Sequence, residues 1–293
     1  MKFDVAVIGG GPAGLSACIF TSRAELNTIC FEKLAIGGQA SLSYEIANYP
    51  GFESISGFEL TQKMFAQASS FGTKFVFGDV VKVKKIKSGF SIKTKHEIYQ
   101  AKKIIIATGN ESRKLGLNEE RFIGKGISYC ASCDGNFFKN KIVAVVGGGD
   151  SAFSYVEYLS RIAKKVYLLN RGDKFRAHTS RVAKAKKFKN VELLTNVQIK
   201  KLVGQDVITA VELNTGKNLK IDGLFVAIGH LPKLDFLEFD VDVDKNGYII
   251  ADKFMRTNVE NVFACGDILS KHFKQIVTAC ADGAIAGNSC IGE

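Results

Sequence analysis

The most specific chemistry in this chain belongs to one pair of cysteines. Cys130-Ala131-Ser132-Cys133-Asp134-Gly135 sets two thiols two residues apart, a spacing that closes a small disulfide and favours a depressed thiolate pKa. Asp134 reads either as a turn residue before Gly135 or as an acid. With a raised pKa it would pass a proton to and from a leaving thiolate. The competing chemistry is a zinc half-site, and structural zinc wants four nitrogen or sulfur ligands. No second C-x-x-C exists, and His96, His178, His230 and His272 stand alone, so the redox reading is preferred. Cys18, Cys30, Cys265, Cys280 and Cys290 lie singly among apolar or small residues, as buried small hydrophobes do. Seven dispersed cysteines make no extracellular disulfide framework.

Two glycine clusters form the second candidate chemistry. The apolar run Phe3 to Ile8 leads into Gly9-Gly10-Gly11-Pro12-Ala13-Gly14, a helical stretch to about Ala24, and a run Thr28 to Phe31 ending at Glu32. Gly9 permits the tight turn, Gly11 lets backbone approach a pyrophosphate, and Gly14 lets helix pack on strand. The helix N-terminus offers free N–H groups to the phosphates. Glu32, 23 residues after Gly9, suits ribose hydroxyls. The pattern recurs: strand Ile142 to Val146, turn Gly147-Gly148-Gly149-Asp150-Ser151-Ala152, a helix to about Ala163, and a strand Val166 to Leu169. Here the residue 23 positions after the first glycine is Asn170, followed by Arg171, with Arg176 close by. An acid would repel a 2′-phosphate, whereas arginine grips one through charge-assisted bonds. The first unit therefore reads as FAD-type and the second as NADPH-type.

These turns need parallel sheets behind them. The runs Ile104 to Gly109 and Leu224 to Gly229 read as buried strands ending on a glycine at a ligand site. Asn261 to Asp267 reads as another strand end, followed by helical residues Gln275 to Cys290. Asp267 either caps that helix or binds a ribityl hydroxyl. The expected fold is α/β, with two Rossmann-like nucleotide-binding domains. The FAD domain spans 1–112 and 244–293, and the NADPH domain, 113–243, is inserted into it with the C-x-x-C pair. Two connections would allow a hinge. Flavin, nicotinamide and redox pair imply a two-electron relay from NADPH through FAD to the disulfide and on to an external disulfide.

The remaining composition narrows the class. The 293 residues suffice for two domains, with 46% apolar and 24% charged residues, as in a globular chain. Met1 to Ile8 lacks the features of a signal peptide, and no apolar run approaches a bilayer span. A cytosolic (cytoplasmic) protein with no membrane partner is expected. The net charge of +11 comes with scattered lysines, Lys82 to Lys87, Lys184 to Lys189, Lys200 and Lys201. They carry no aromatic-interleaved nucleic-acid motif, so they read as solvated faces, with mild steering of an acidic partner protein left open.

From about Asp4 to Asn288 the chain resembles the low-molecular-weight thioredoxin reductases. The matching motifs run in order: Gly9 to Gly14, Gly37-Gly38-Gln39, Asn48-Tyr49-Pro50-Gly51, Ala107-Thr108-Gly109, Cys130 to Gly135, Gly147 to Ala152, Arg171 to Arg176, Ala227 to His230, Cys265-Gly266-Asp267 and Lys274-Gln275. The resemblance implies a homodimer that reduces thioredoxin. Cys133 would face the flavin, Cys130 attack thioredoxin, Asp134 act as acid and base, and the domains rotate between half-reactions. FAD would be held by Gly9, Gly11, Pro12, Ala13, Gly14, Glu32, Lys33, Gly38, Gln39, Asn48, Thr108, Gly109, Gly266, Asp267, Lys274, Gln275 and Ile276. NADPH would be held by Gly147, Gly149, Asp150, Ser151, Ala152, Arg171, Arg176, Ile228 and Gly229.

Three departures stand out. The family's His-Arg-Arg before the aspartate is Asn170-Arg171-Gly172 here, which removes one phosphate-binding arginine and bears on NADPH over NADH. Phe153-Ser154-Tyr155-Val156-Glu157 replaces the usual acidic-alanine start of the helix, and Lys274 replaces an arginine. The alternatives are a relative with another acceptor, such as an oxygen-using dithiol oxidase, or with NADH or ferredoxin as donor. From a different class comes a non-catalytic redox sensor, which would leave the intact cysteine pair unexplained.

Overall fold

The structure, a computed structural model, describes residues 2–43 and 46–292 apart from the side chain of Cys133. The chain divides into two compact units, Met1–Glu111 with Leu231–Glu293, and Ser112–His230 between them. In the first unit β1 (Lys2–Ile8) passes through the glycine turn into α1 (Pro12–Arg23) and β2 (Thr28–Glu32). Pro12 stands at the start of the helix, where its missing N–H costs no bond. Next come α2 (Gly57–Ser70), β3 (Lys74–Phe77), β4 (Val80–Ile86), β5 (Gly89–Thr94) and β6 (Ile98–Ile106). Ser56 caps α2 by accepting a bond from Glu59 N. Strand β7 (Glu111–Ser112) then carries the chain into the second unit.

The second unit begins with β8 (Ile127–Ser128) and the one-turn α3 (Ala131–Asp134) that bears the redox sequence. There follow β9 (Ile142–Val146), α4 (Asp150–Ser160), β10 (Lys165–Leu169), α5 (Thr179–Ala185) and β11 (Val191–Leu194). An antiparallel meander, β12 (Ile199–Gly204), β13 (Ile208–Leu213) and β14 (Asn218–Lys220), precedes β15 (Gly223–Val226). The main sheet is parallel in the order β11-β10-β9-β15-β8. Helix α4 stops at Ser160, short of the expected Ala163, because the backbone tightens there: Arg161 N bonds Tyr158 O and Ile162 N bonds Leu159 O. Strand β16 (His230–Leu231) brings the chain back and pairs with β7.

Back in the first unit, β17 (Val262–Ala264) and α6 (Ile276–Ile291) complete the fold. The sheet order is β3-β2-β1-β6-β5-β4, with β17 also on β6. Strand β6 pairs with parallel β1 along one edge and shares its other edge between antiparallel β5, opposite Ile98 to Ala101, and parallel β17, opposite Ile104 to Ile106. Both glycine turns thus follow a central strand, β1 or β9, flanked by strands reached in opposite directions, where open α/β sheets bind ligands.

The return falls at Leu231, where the sequence suggests 244. Residues 231–243 pack on the first unit: Val83 N donates to Phe236 O at 2.6 Å and Glu238 N to Val83 O at 2.8 Å, with Leu234, Leu237 and Phe239 against its core. Lys82, Lys84, Lys85, Lys184, Lys186, Lys187, Lys200 and Lys201 lie on exposed faces. Among the described residues no helix is long and apolar enough to cross a membrane.

Candidate active site

The first glycine turn is built for a close approach. Gly9 has φ +109°, and a Cβ there would lie 2.3 Å from Ala107 O, so only glycine fits. Gly14 lets α1 descend onto the turn, since a Cβ would meet Gly9 O at 1.9 Å. A Cβ at Gly11 would meet only Gly37 O at 4.0 Å, so this face is open to a phosphate. Buried Glu32 closes β2, its Oε2 accepting from Gly10 N at 2.7 Å and its Oε1 from Leu34 N at 2.8 Å. Each oxygen retains capacity for another donor.

A cleft of about 1090 Å³ opens over this turn. It is lined by Gly9, Gly11, Pro12, Ala13, Glu32, Lys33, Gly38, Gln39, Asn48, Thr108, Gly109, Asp267, Lys274, Gln275 and Ile276. Gly14 and Gly266 lie behind the wall, and a Cβ at Gly266 would sit 2.7 Å from that of Ala13. Gln39 Nε2 donates to Asn110 O at 2.6 Å, and Asn48 Nδ2 to Gln275 Oε1 at 3.0 Å. Lys33 pairs with Glu111 at 2.8 Å, and Lys274 Nζ donates to Asp267 O at 2.9 Å. Burial lowers the Lys274 pKa. Gln275, with its N–H on Thr278 Oγ1 at 3.1 Å, is the cap of α6; Asp267 sits instead in the short turn Gly266–Ile268 on the cleft wall. Thr108 Oγ1 is buried and has no hydrogen-bond partner among the described residues. A flavin dinucleotide fits this set: an open glycine face for the pyrophosphate, an acid at the strand end, and a hydroxyl awaiting a partner.

The second turn repeats the first. Gly147 has φ +148°, and its Cβ would lie 2.2 Å from Ala227 O, while a Cβ at Gly149 would meet nothing within 4 Å. Ala152 is buried beneath it and Ser151 is exposed. The strand end differs. Asn170 Nδ2 donates to Gly172 O at 3.1 Å and Lys174 O at 3.0 Å, and Arg176 N returns to Gly148 O at 2.7 Å. This folds the arginine loop back onto the glycine turn. Arg171 and Arg176 are exposed there, and among the described residues neither guanidinium has a protein partner. Asp150 Oδ1 accepts from His178 N at 3.1 Å and faces Arg181 at 3.5 Å. Ile228 and Gly229 follow β15, with Gly229 at φ +102°. A nucleotide carrying an extra phosphate fits this loop.

Cys130 is disulfide-bonded. Its N–H donates to Ser128 Oγ at 3.0 Å, and its carbonyl accepts from Ser128 Oγ and Asp134 N. The expectation for Cys133 falls on a side chain outside the described residues. Asp134 is half-buried at the end of α3. Helix α4 clamps this turn: Tyr155 Oη donates to Tyr129 O at 2.6 Å, and a Cβ on Gly135 would press within 2.6 Å of the Tyr158 ring. Tyr129 Oη in turn donates to Glu119 Oε1 at 3.0 Å. Glu119 is fully buried and also accepts from Leu115 N and Leu117 N. Burial would raise its pKa, but these bonds win and hold the carboxyl below its ordinary range. Cys18, Cys30, Cys265, Cys280 and Cys290 are free. Burial pushes Cys265 well up and Cys290 to about 12, which keeps those thiols protonated.

Residues 3–283 match the family model described as pyridine nucleotide-disulphide oxidoreductase. The chain belongs to this family. It is 42% identical to a thioredoxin reductase of Listeria innocua, over 98% of this chain and 92% of that one. It is 43% identical to one of Bacillus subtilis, over 98% and 93%. Among solved structures it is similar to Lactococcus lactis thioredoxin reductase in its FR conformation, with a TM-score of 0.89, 38% identity, and 99% and 98% of the two chains covered.

Within that family frame, some site features carry no motif. Asn110, Lys233, Asp235 and Phe236 line the first cleft, and Tyr155, Tyr158, Glu119 and Arg181 brace the second unit. Only Tyr155 had a signal, as part of the stretch that departs from the usual helix start.

Proposed function

We propose that this chain is an FAD-dependent thioredoxin-disulfide reductase that takes electrons from NADPH and works as a cytoplasmic homodimer. The observation that carries it is the pairing of two dinucleotide cradles of one geometry with a disulfide-bonded Cys130 clamped onto the helix of the second cradle. Bound FAD supplies two-electron exchange between a nicotinamide and a disulfide. The glycine face at Gly11, the carboxylate of Glu32 and the hydroxyl of Thr108 would hold the flavin nucleotide, in the cleft that Gln39, Asn48 and Gln275 also line. Gly147, Gly149, Asp150, Arg171 and Arg176 hold NADPH. Two electrons and two protons would open the Cys130–Cys133 disulfide to a dithiol. Cys130 would then attack the disulfide of thioredoxin, releasing one of its thiols, and Asp134 would move the proton at the departing thiol. Cys133 would resolve the mixed disulfide, releasing the second thiol and closing the Cys130–Cys133 bond again. The double crossing at β7 and β16 is the hinge on which the units turn between half-reactions.

The test is anaerobic mixing of the yellow protein with NADPH, and separately with NADH, before oxidised thioredoxin is added. Fast bleaching by NADPH, reversed by thioredoxin in the wild type but not in Cys130→Ser, is expected. Bleaching with neither nucleotide would point to another electron donor and overturn this reading.

A further inference from the structure

The chain's net charge is segregated between its units. The second unit, residues 112–230, holds 21 lysines and arginines against 10 aspartates and glutamates, while the first holds 19 of each. The whole excess of +11 therefore sits on the unit that carries Cys130, and the other unit is neutral. Ion pairs in the second unit engage Arg161 and Lys184 with Glu157, Lys165 with Glu192, and Arg181 with Asp150.

The lysines that follow the redox turn stay outside these pairs. Lys139, Lys141 and Lys164 are exposed, and none forms an ion pair among the described residues. Backbone bonds put them on adjoining segments: Asn140 N donates to Ile162 O and Lys164 N to Lys141 O, each at 2.9 Å. Asp134 is the only acid between Arg121 and Asp150. Phe137, one residue before the buried Phe138, is 76% exposed beside this basic stretch.

We propose that this basic face selects an acidic protein as the oxidised substrate, steering negative charge around that protein's disulfide onto the turn that bears Cys130. The proposal rests on the disulfide-reductase reading and adds what chooses the partner. A single-sign field near a reactive turn raises encounter rates by about 10- to 1,000-fold. Salt screens it over a Debye length of about 8 Å at physiological strength. An acidic protein is favoured over other polyanions because the unpaired lysines adjoin the redox turn.

The test compares kcat/KM for two forms of one oxidised thioredoxin: an acidic protein, and the same protein neutralised by Asp→Asn and Glu→Gln changes around its disulfide. Flavin-loaded wild type is run beside the triple variant Lys139→Glu, Lys141→Glu, Lys164→Glu and its milder counterpart with glutamine at all three positions. At low salt the reversed variant should lose at least about tenfold on the acidic form, with the glutamine variant between. The loss should shrink as salt rises, and turnover of the neutralised form should stay unchanged. Equal kcat/KM for both variants and wild type on the acidic form would overturn the steering alone. Wild type that bleaches with NADPH but is reoxidised by neither thioredoxin would remove the thioredoxin reading, and this proposal with it. If the reversed variant does not fold, the glutamine variant decides by the same comparison.

Discussion

Gly172 offers the sharpest test of the nicotinamide site. Its Cβ position is open: a side chain would meet only Lys174 O at 3.7 Å and Asn170 Nδ2 at 3.8 Å. No left-handed backbone stands in the way, so Gly172→Arg should fold without strain. The new guanidinium would stand beside Arg171 in the loop that returns to Gly148. A hydrogen bond to a charged group contributes about 1.5–3 kcal/mol net. The exposure of this loop argues for the low end, about 1.5 kcal/mol, or roughly tenfold. The assay is kcat/KM for NADPH and NADH with thioredoxin saturating. The expected result is a rise of about tenfold in the NADPH-to-NADH ratio, carried by NADPH. An equal rise with both donors would place the arginine on the shared pyrophosphate, and no change in a well-folded variant would refute the placement of the 2′-phosphate in this loop.

Other expectations follow from the same geometry. Tyr155→Phe leaves Tyr129 O without its 2.6 Å donor; it should cost about 1 kcal/mol in urea unfolding and slow thioredoxin reduction without raising the NADPH KM. Glu119 has a carboxyl below its ordinary value of 4.5, so its contribution is complete above that pH and lost as pH falls through the lower folded value. Glu119→Gln should melt earlier at pH 7 and show a shallower further loss on acidification, read by thermal melts from neutral pH downwards. A Cβ at Gly283 would lie 2.0 Å from Ala13 O, so Gly283→Ala should force α6 off α1, cost about 1–3 kcal/mol and lower the flavin content of the purified protein. Phe137→Ser should leave the melting temperature within about 1 °C, consistent with a change of a few tenths of a kcal/mol at an exposed site, while raising the KM for thioredoxin.

How much of this was legible in advance depends on the range over which each feature acts. The glycine turns could be read because backbone crowding leaves one residue type possible: Ala107 O beside Gly9 and Ala227 O beside Gly147 enforce the same choice twice. Asn170 was visible as the missing acid, but not as the brace of the arginine loop, since its bonds run to carbonyls rather than to a recognisable motif. The Tyr155 clamp joins residues 26 apart and follows no periodicity. The segment 231–243 could not be assigned from its residues because its partner, Val83, lies on a strand some 150 positions earlier. Asp267 remained ambiguous until Gln275 proved to cap α6.

The pairing of β7 with β16 also shapes how the chain folds. The first unit is made of two pieces separated in sequence by the 119 residues of the second. In an unfolded chain, bringing α6 onto α1 and β17 onto β6 means closing that whole loop. Once the second unit has folded, Arg113 N bonds Gly229 O at 2.9 Å, and its two ends emerge side by side. The first unit then experiences the insertion as little more than a tight turn. Replacing a loop of that length by a few effective residues lowers the closure entropy by roughly 3 kcal/mol. The inserted unit thereby acts as an internal template, and its early folding turns the most distant contacts of its neighbour into nearly local ones.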